Sequence, residues 1–420
     1  MDYEKLFKRI GVAAIILLFF GLGGWYLFLR GQSSDLEQLR NERGFDVGIP
    51  SFTGSRGSTF SNIESGQSPT GESVDFSLTE GGSDASSNET SETPRPPRLW
   101  RTSAIPVAGA AFVEVASSTK LRYVERSTGH VFDVDIVTGK TERRTNTLRP
   151  QIYRSFMTEK GVLQQSVEQG QVVTFAGEIG ARGDDGFSTF NGKTLPPNIL
   201  AISPAPDSKN ITYIVRGATN ASVVRAAFDG SKPTQLASVG TGSWNLFSLA
   251  NSTVIAEKAA SGILGSAYTI VNGLLNPLVR SVPGLTIAPH PEGEALLYSS
   301  DTGSDVQLYL KPSPTASPAG LQIRTVAEKC AWSTGRSLVA YCGVPRSMPR
   351  MFLNLWYRGL SHTEDTIWKV EGGGGTATEI FTPQPGVAMD VERPMVDDTG
   401  NYLAFINGID KSLWVIRLKE

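Results

Sequence analysis

The chain has 420 residues, of which 40% are hydrophobic and 19% charged, with a formal net charge of -2. A charge this close to zero lacks the basic footprint that electrostatic binding of nucleic acid needs. The 44 glycines suit a turn-rich β protein and follow no strict triplet, which excludes a collagen-like chain.

The first element is apolar. Ile10 to Leu29 is an uncharged run of about the 20 residues that a helix needs to cross a bilayer. Trp25 and Tyr26 near one end suit the interfacial aromatic belt, and Lys5, Lys8 and Arg9 ahead of it favour a cytoplasmic N-terminus. A cleaved signal peptide would have a shorter apolar stretch and a small-x-small site, whereas bulky Trp25 to Leu29 follow the glycines here. The expectation is a cytoplasmic stub (1–9), an uncleaved transmembrane helix (10–30) in the lipid bilayer of the cell membrane, and an extracytoplasmic remainder. Residues 31–97 are dense in Ser, Gly, Thr, Asn and Glu. They carry too little apolar surface to offset ordering entropy, so a disordered tether is expected, stiffened at Pro94 to Pro97.

From residue 98 to the C-terminus the pattern changes to short apolar strands bounded by Gly, Pro, Asp or Asn. A unit of three or four strands returns about every 40 to 50 residues, the period of radial β architectures. One copy reads Ile199 to Ser203, a turn at Asp207 to Asn210, Ile211 to Val215, then Val223 to Phe228 and Asp229-Gly230. Others begin at Leu121, Ile152, Trp244, Leu285, Cys330 and Asp397. The expected fold is all-β, a β-propeller of about seven four-stranded antiparallel blades over residues 98–420. The last copy stops at its third strand, and Arg98 to Thr102 is expected to supply the missing outer strand and hide that edge.

Ser203 to Gly230, Pro289 to Leu310 and Asp397 to Leu418 resemble the repeats of TolB-type and WD-repeat-like propellers. Cys330 to Ser333, Tyr341 to Pro345, Trp356 to Gly359 and Asp365 to Trp368 add a likeness to uncharacterised bacterial proteins with a membrane anchor and a propeller. That likeness implies an anchored propeller and brings no activity with it. The Trp-Asp dipeptide of true WD repeats is missing.

Signals for chemistry are sparse. Cys330 and Cys342, the two cysteines, flank one hairpin. Pairing Trp332 with Leu338 puts them on one face but diagonal, marginal for a bridge, so a disulfide and two buried thiols both remain open. Two cysteines without nearby histidines fall short of a zinc site, and no metal or cofactor is expected. His130, His290 and His362 fall in three different repeats and read as turn or surface residues. No Gly-x-Ser-x-Gly elbow occurs. Asp133/Asp135, Asp184-Asp185 and Asp397-Asp398 sit at turns or strand ends, where Asp serves the backbone.

The sixth copy is lengthened by an insertion, Pro345 to Thr366. It carries Met348, Arg350, Met351, Phe352, Trp356, Tyr357 and Arg358, residue types that dominate protein interfaces. These either dock a partner or fold back over their own blade. The leading expectation is therefore a non-catalytic scaffold or receptor-like subunit of an envelope assembly, with a protein partner. The alternative is binding or processing of a glycan or small molecule at the central channel.

Overall fold

The computed structural model describes residues 95–115, 117–334 and 338–419. The expected stub, membrane helix and nearly all of the tether lie outside them. Among the described residues no helix is long and apolar enough to cross a membrane.

The described chain forms seven four-stranded antiparallel sheets. Blades 1 to 6 span residues 107–143, 154–194, 199–239, 244–283, 286–320 and 330–381, each with its strands in chain order. Blade 7 takes three strands from 391–417 and its outer strand from Leu99–Ser103. Leu99 pairs with Ile416, Trp100 with Val415 and Arg101 with Trp414. The closing strand expected from the sequence thus pairs the two ends of the described ring.

Seven clusters of buried apolar side chains fill the wedges between successive blades, the seventh joining blade 7 to blade 1. A sheet packed on both sides must be apolar on both sides. That is why central strands such as Ile211 to Ile214 and Leu403 to Asn407 are buried without alternation. First strands of most neighbouring blades touch and line the axis of the ring. The loops joining second to third strands, and each blade to the next, gather on one face, called here the upper face.

Cys330 and Cys342 are joined by a disulfide across the first hairpin of blade 6. They face each other directly, with Trp332 opposite Ala340, so the diagonal register expected from the sequence is corrected. The turn is longer than that register assumed. It takes in Leu338, whose carbonyl accepts from the Gly372 amide at 2.6 Å and is thereby lost to the hairpin ladder. His290 occupies the expected turn between two strands of blade 5. It is 1% exposed and sits edge-on to Trp332, with ring centroids 5.2 Å apart.

Ring closure generates a prediction. Deleting Leu99–Ser103 bares the edge of the strand Leu413–Arg417 and uncovers the closing wedge, where Trp100 packs. The unfolding free energy, read from denaturant titration, is expected to fall by about 3–5 kcal/mol, with aggregation through the open edge. An unchanged midpoint would show that the ring does not depend on this strand.

Candidate functional site at the channel mouth

The insertion of blade 6 folds into one short helix, α1 (Phe352–Tyr357), lying on the upper face. Its Phe352, Leu353 and Trp356 are buried against Ala259, Val306 and Val326 of blades 4 to 6. Apolar burial therefore turns two of the expected docking aromatics inward. Met348 and Tyr357 are half-buried beside them, while Arg350, Met351 and Arg358 remain exposed.

Polar contacts fix α1 at both ends. The Asp301 carboxylate accepts from the Leu353 amide (3.2 Å), Ser261 Oγ (2.6 Å) and the Gly303 amide (2.7 Å). Asn354 Oδ1 accepts from the Ser261 amide at 3.0 Å. At the other end the Trp356 indole donates to Asp390 (3.0 Å), and the Tyr357 hydroxyl donates to Glu328 (2.8 Å).

Asp390 belongs to a buried knot around Lys329. The ammonium, with its side chain fully enclosed, donates to Asp390 Oδ1 (2.6 Å), Asp365 Oδ2 (2.8 Å) and Thr363 Oγ1 (2.9 Å). It also lies 4.7 Å from the Trp356 ring centroid. His362, on the surface side, makes a 3.1 Å hydrogen bond to Asp390 Oδ2. The two carboxyls that share the lysine differ. Burial pushes the Asp365 carboxyl up, against the opposing pull of Lys329, and its Oδ1 has no hydrogen-bond partner. Burial acts on Asp390 too, but Lys329, Thr363 and His362 together outweigh it and hold that carboxyl below its ordinary value.

Beside the knot, the upper mouth of the axial channel is ringed by charge. Arg126 follows the second strand of blade 1, and Arg154 opens the first strand of blade 2. Lys258 follows the second strand of blade 4. Glu328 precedes blade 6, and Glu392 and Arg393 open blade 7. Arg126 donates from Nε to the Val107 carbonyl (3.2 Å), and Arg393 from Nη1 to the adjacent Ala108 carbonyl (3.0 Å). Arg126 also donates to the carbonyl of Tyr153, next to Arg154 (3.2 Å). Burial lowers the pKa of all three arginines, Arg154 to about 10, and Arg393 repels both Arg126 and Arg154. Burial raises the pKa of Glu328. Arg393 itself has φ 47°, at a bulge in its strand. Such a backbone is uncommon for a residue other than glycine and gathers at functional sites.

Sequence patterns did not reveal these residues. Glu328-Lys329 within an otherwise apolar stretch, Val326 to Trp332, was the available signal for the knot. The carboxylates that did attract attention serve the fold. Asp133 is clamped by Arg122 at 2.7 and 2.8 Å, and Asp397 caps the turn before Tyr402. Among the described residues no three His, Cys, Asp or Glu side chains group in a way that could hold a metal ion.

The split between the carboxyls is testable. Asp390, held low, contributes stability that is complete above the usual carboxylate range near pH 4 and is lost as pH falls through its folded value. Asp365, held high, contributes in the opposite sense, complete below that range and lost as pH rises through its raised value. Asp390→Asn leaves Lys329 without its best-bonded counter-ion and is expected to cost about 3–5 kcal/mol at pH 7. Asp365→Asn is expected to cost less and to remove the loss on the alkaline side. Denaturant midpoints measured from pH 4 to pH 8 and read through proton linkage check both; equal costs would refute the split.

No family model matches the chain, and no curated protein matches it in sequence. Solved structures do match. The β-propeller domain of Cps50 (Swd1) from Myceliophteria thermophila is similar with TM-score 0.50 and 10% identity, over 76% of this chain and all 100% of that one. Oligogalacturonate lyase from Vibrio parahaemolyticus is similar with TM-score 0.49 and 7% identity, over 77% of this chain and 94% of that one. TolB from Acinetobacter baumannii is similar with TM-score 0.39 and 9% identity, over 70% and 61%. At such identities the likeness is one of fold: the chain is a seven-bladed propeller similar to TolB and WD-repeat-type propellers.

Proposed function

We propose that this protein is a membrane-anchored, extracytoplasmic propeller that works by binding, and that its upper face docks a protein subunit of an envelope assembly. The observation that carries this reading is where apolar side chains stay exposed. Ile105, Ile263, Leu264, Met351, Leu360 and Ile409 all belong to the upper face, against Val137, Val271 and Leu274 at lower hairpins. Ile263, Leu264 and Met351 share one neighbourhood. A Cβ on Gly262 would meet the Thr302 carbonyl at 3.4 Å, and one on Gly303 would meet Met351 Sδ at 2.8 Å.

Exposed Arg346, Arg350 and Arg358 stand in the same insertion. Apolar anchors beside arginines favour a partner that presents apolar side chains edged by carboxylates. The Ile10 to Leu29 run supports the anchor. The disulfide suits an exported domain, since such bonds persist in oxidising compartments. A non-catalytic role is supported by the structural use of Asp133, Asp301, Asp390 and Asp397.

Crosslinking in native membranes, then purification of the full-length protein and mass spectrometry, tests this reading. One stoichiometric envelope protein is expected with the wild type. Its recovery should fall at least about tenfold in the triple variant I263D/M351D/L360D, given roughly 1.4 kcal/mol per tenfold change. Equal recovery from that variant would remove the upper face from the interface.

A further inference from the structure

We propose that the channel mouth is a binding site for a small multivalent anion, a phosphate or a polycarboxylate, held by Arg154, Arg393 and Arg126. The three guanidiniums come from three successive blades and lie together because Arg126 and Arg393 grip the adjacent carbonyls of Val107 and Ala108, while Arg126 also reaches the carbonyl before Arg154. Their hydrogen bonds are far from saturated. Among the described residues Arg154 donates to no partner; its Nε is buried and unpaired, and its guanidinium lies 4.6 Å over the Phe156 ring. Arg393 makes one side-chain hydrogen bond and keeps solvent access.

The nearby carboxylates are engaged elsewhere. Glu392 is held by Lys411 at 2.6 Å, and Glu328 by the Tyr357 hydroxyl at 2.8 Å. Like charges brought together at a partly buried mouth repel one another, and an anion bound there would relieve both the repulsion and the unmet donors. Guanidinium forks match carboxylate and phosphate oxygens in pairs, which sets the chemical class of the ligand. The left-handed backbone at Arg393 aims that side chain from a bulge, a strained arrangement of the kind binding sites retain.

The test is thermal unfolding of the full-length protein in detergent, with inorganic phosphate, citrate or sodium chloride at matched ionic strength. A saturable rise in midpoint is expected with phosphate or with citrate, beyond any effect of chloride, because a ligand that binds only the folded state stabilises it. Phosphate alone would assign a phosphoryl ligand, and citrate a carboxylate one. Arg393→Gln should weaken the apparent affinity at least about tenfold, as expected for loss of a charge-assisted pair, and so should Arg154→Gln. Arg225→Gln, which loses only an exposed surface pair with Asp207, should match the wild type. Arg393 is solvent-accessible with one main-chain bond, so its variant stays informative if Arg154→Gln fails to fold. An equal shift with chloride, or wild-type affinity in Arg393→Gln, would overturn the proposal.

Discussion

The upper face depends on one buried cation. Lys329 sits where blades 6 and 7 meet, and its ammonium ties together the start of one strand (Asp365), the loop leading into it (Thr363) and the entry to another strand (Asp390). Enclosing an ammonium costs several kcal/mol unless its partners are close and complete. Asp390 in turn accepts from Trp356, so the charge that holds two blades also holds the far end of α1. Removing either partner would leave a charge stranded in the wedge. Such a knot contributes less to net stability than to fixing one arrangement of the loops around it.

That arrangement sets what the two neighbouring surfaces do. Helix α1 is only six residues long and could not hold itself in water. Burial of Phe352, Leu353 and Trp356 provides its cohesion, and Asp301 and Asp390 fix its ends. With the aromatics turned inward, the outward side keeps Met351 and Leu360 beside arginines. On the inner side, consecutive residues divide the work. Trp356 closes over the knot, while Tyr357 reaches Glu328 at the channel mouth, so that carboxylate is hydrogen-bonded to a hydroxyl and acts on Arg154 and Arg393 only through its charge.

The propeller itself was legible because its signal is local and repeated. Turns such as Asp207 to Asn210, Pro291 to Gly293 and Asp397 to Gly400 punctuate apolar strands at nearly constant spacing. The closing strand was legible because Arg98 to Thr102 stands where other copies carry an outer strand. The cysteine register was not, because it hinges on whether Leu338 lies in the ladder or the turn, and Leu338 is bonded instead by Gly372 from the turn of the next hairpin. The side to which the insertion's aromatics point was equally hidden, since one and a half helical turns carry too little periodicity to define a face. The knot and the arginine cluster join residues such as Lys329 and Asp390, 61 apart, or Arg126 and Arg393 from opposite ends of the domain. No spacing rule connects these; ring closure does.

The central claim is that the Lys329 knot holds α1 in place and thereby shapes both surfaces. Hydrogen–deuterium exchange of the full-length protein and of Lys329→Met tests it most directly. The account predicts that amides of residues 351–358 and 388–392 lose protection in the variant, while the central strands of blades 2 and 3 keep theirs. Unchanged protection across 351–358 in a folded Lys329→Met protein would contradict the claim.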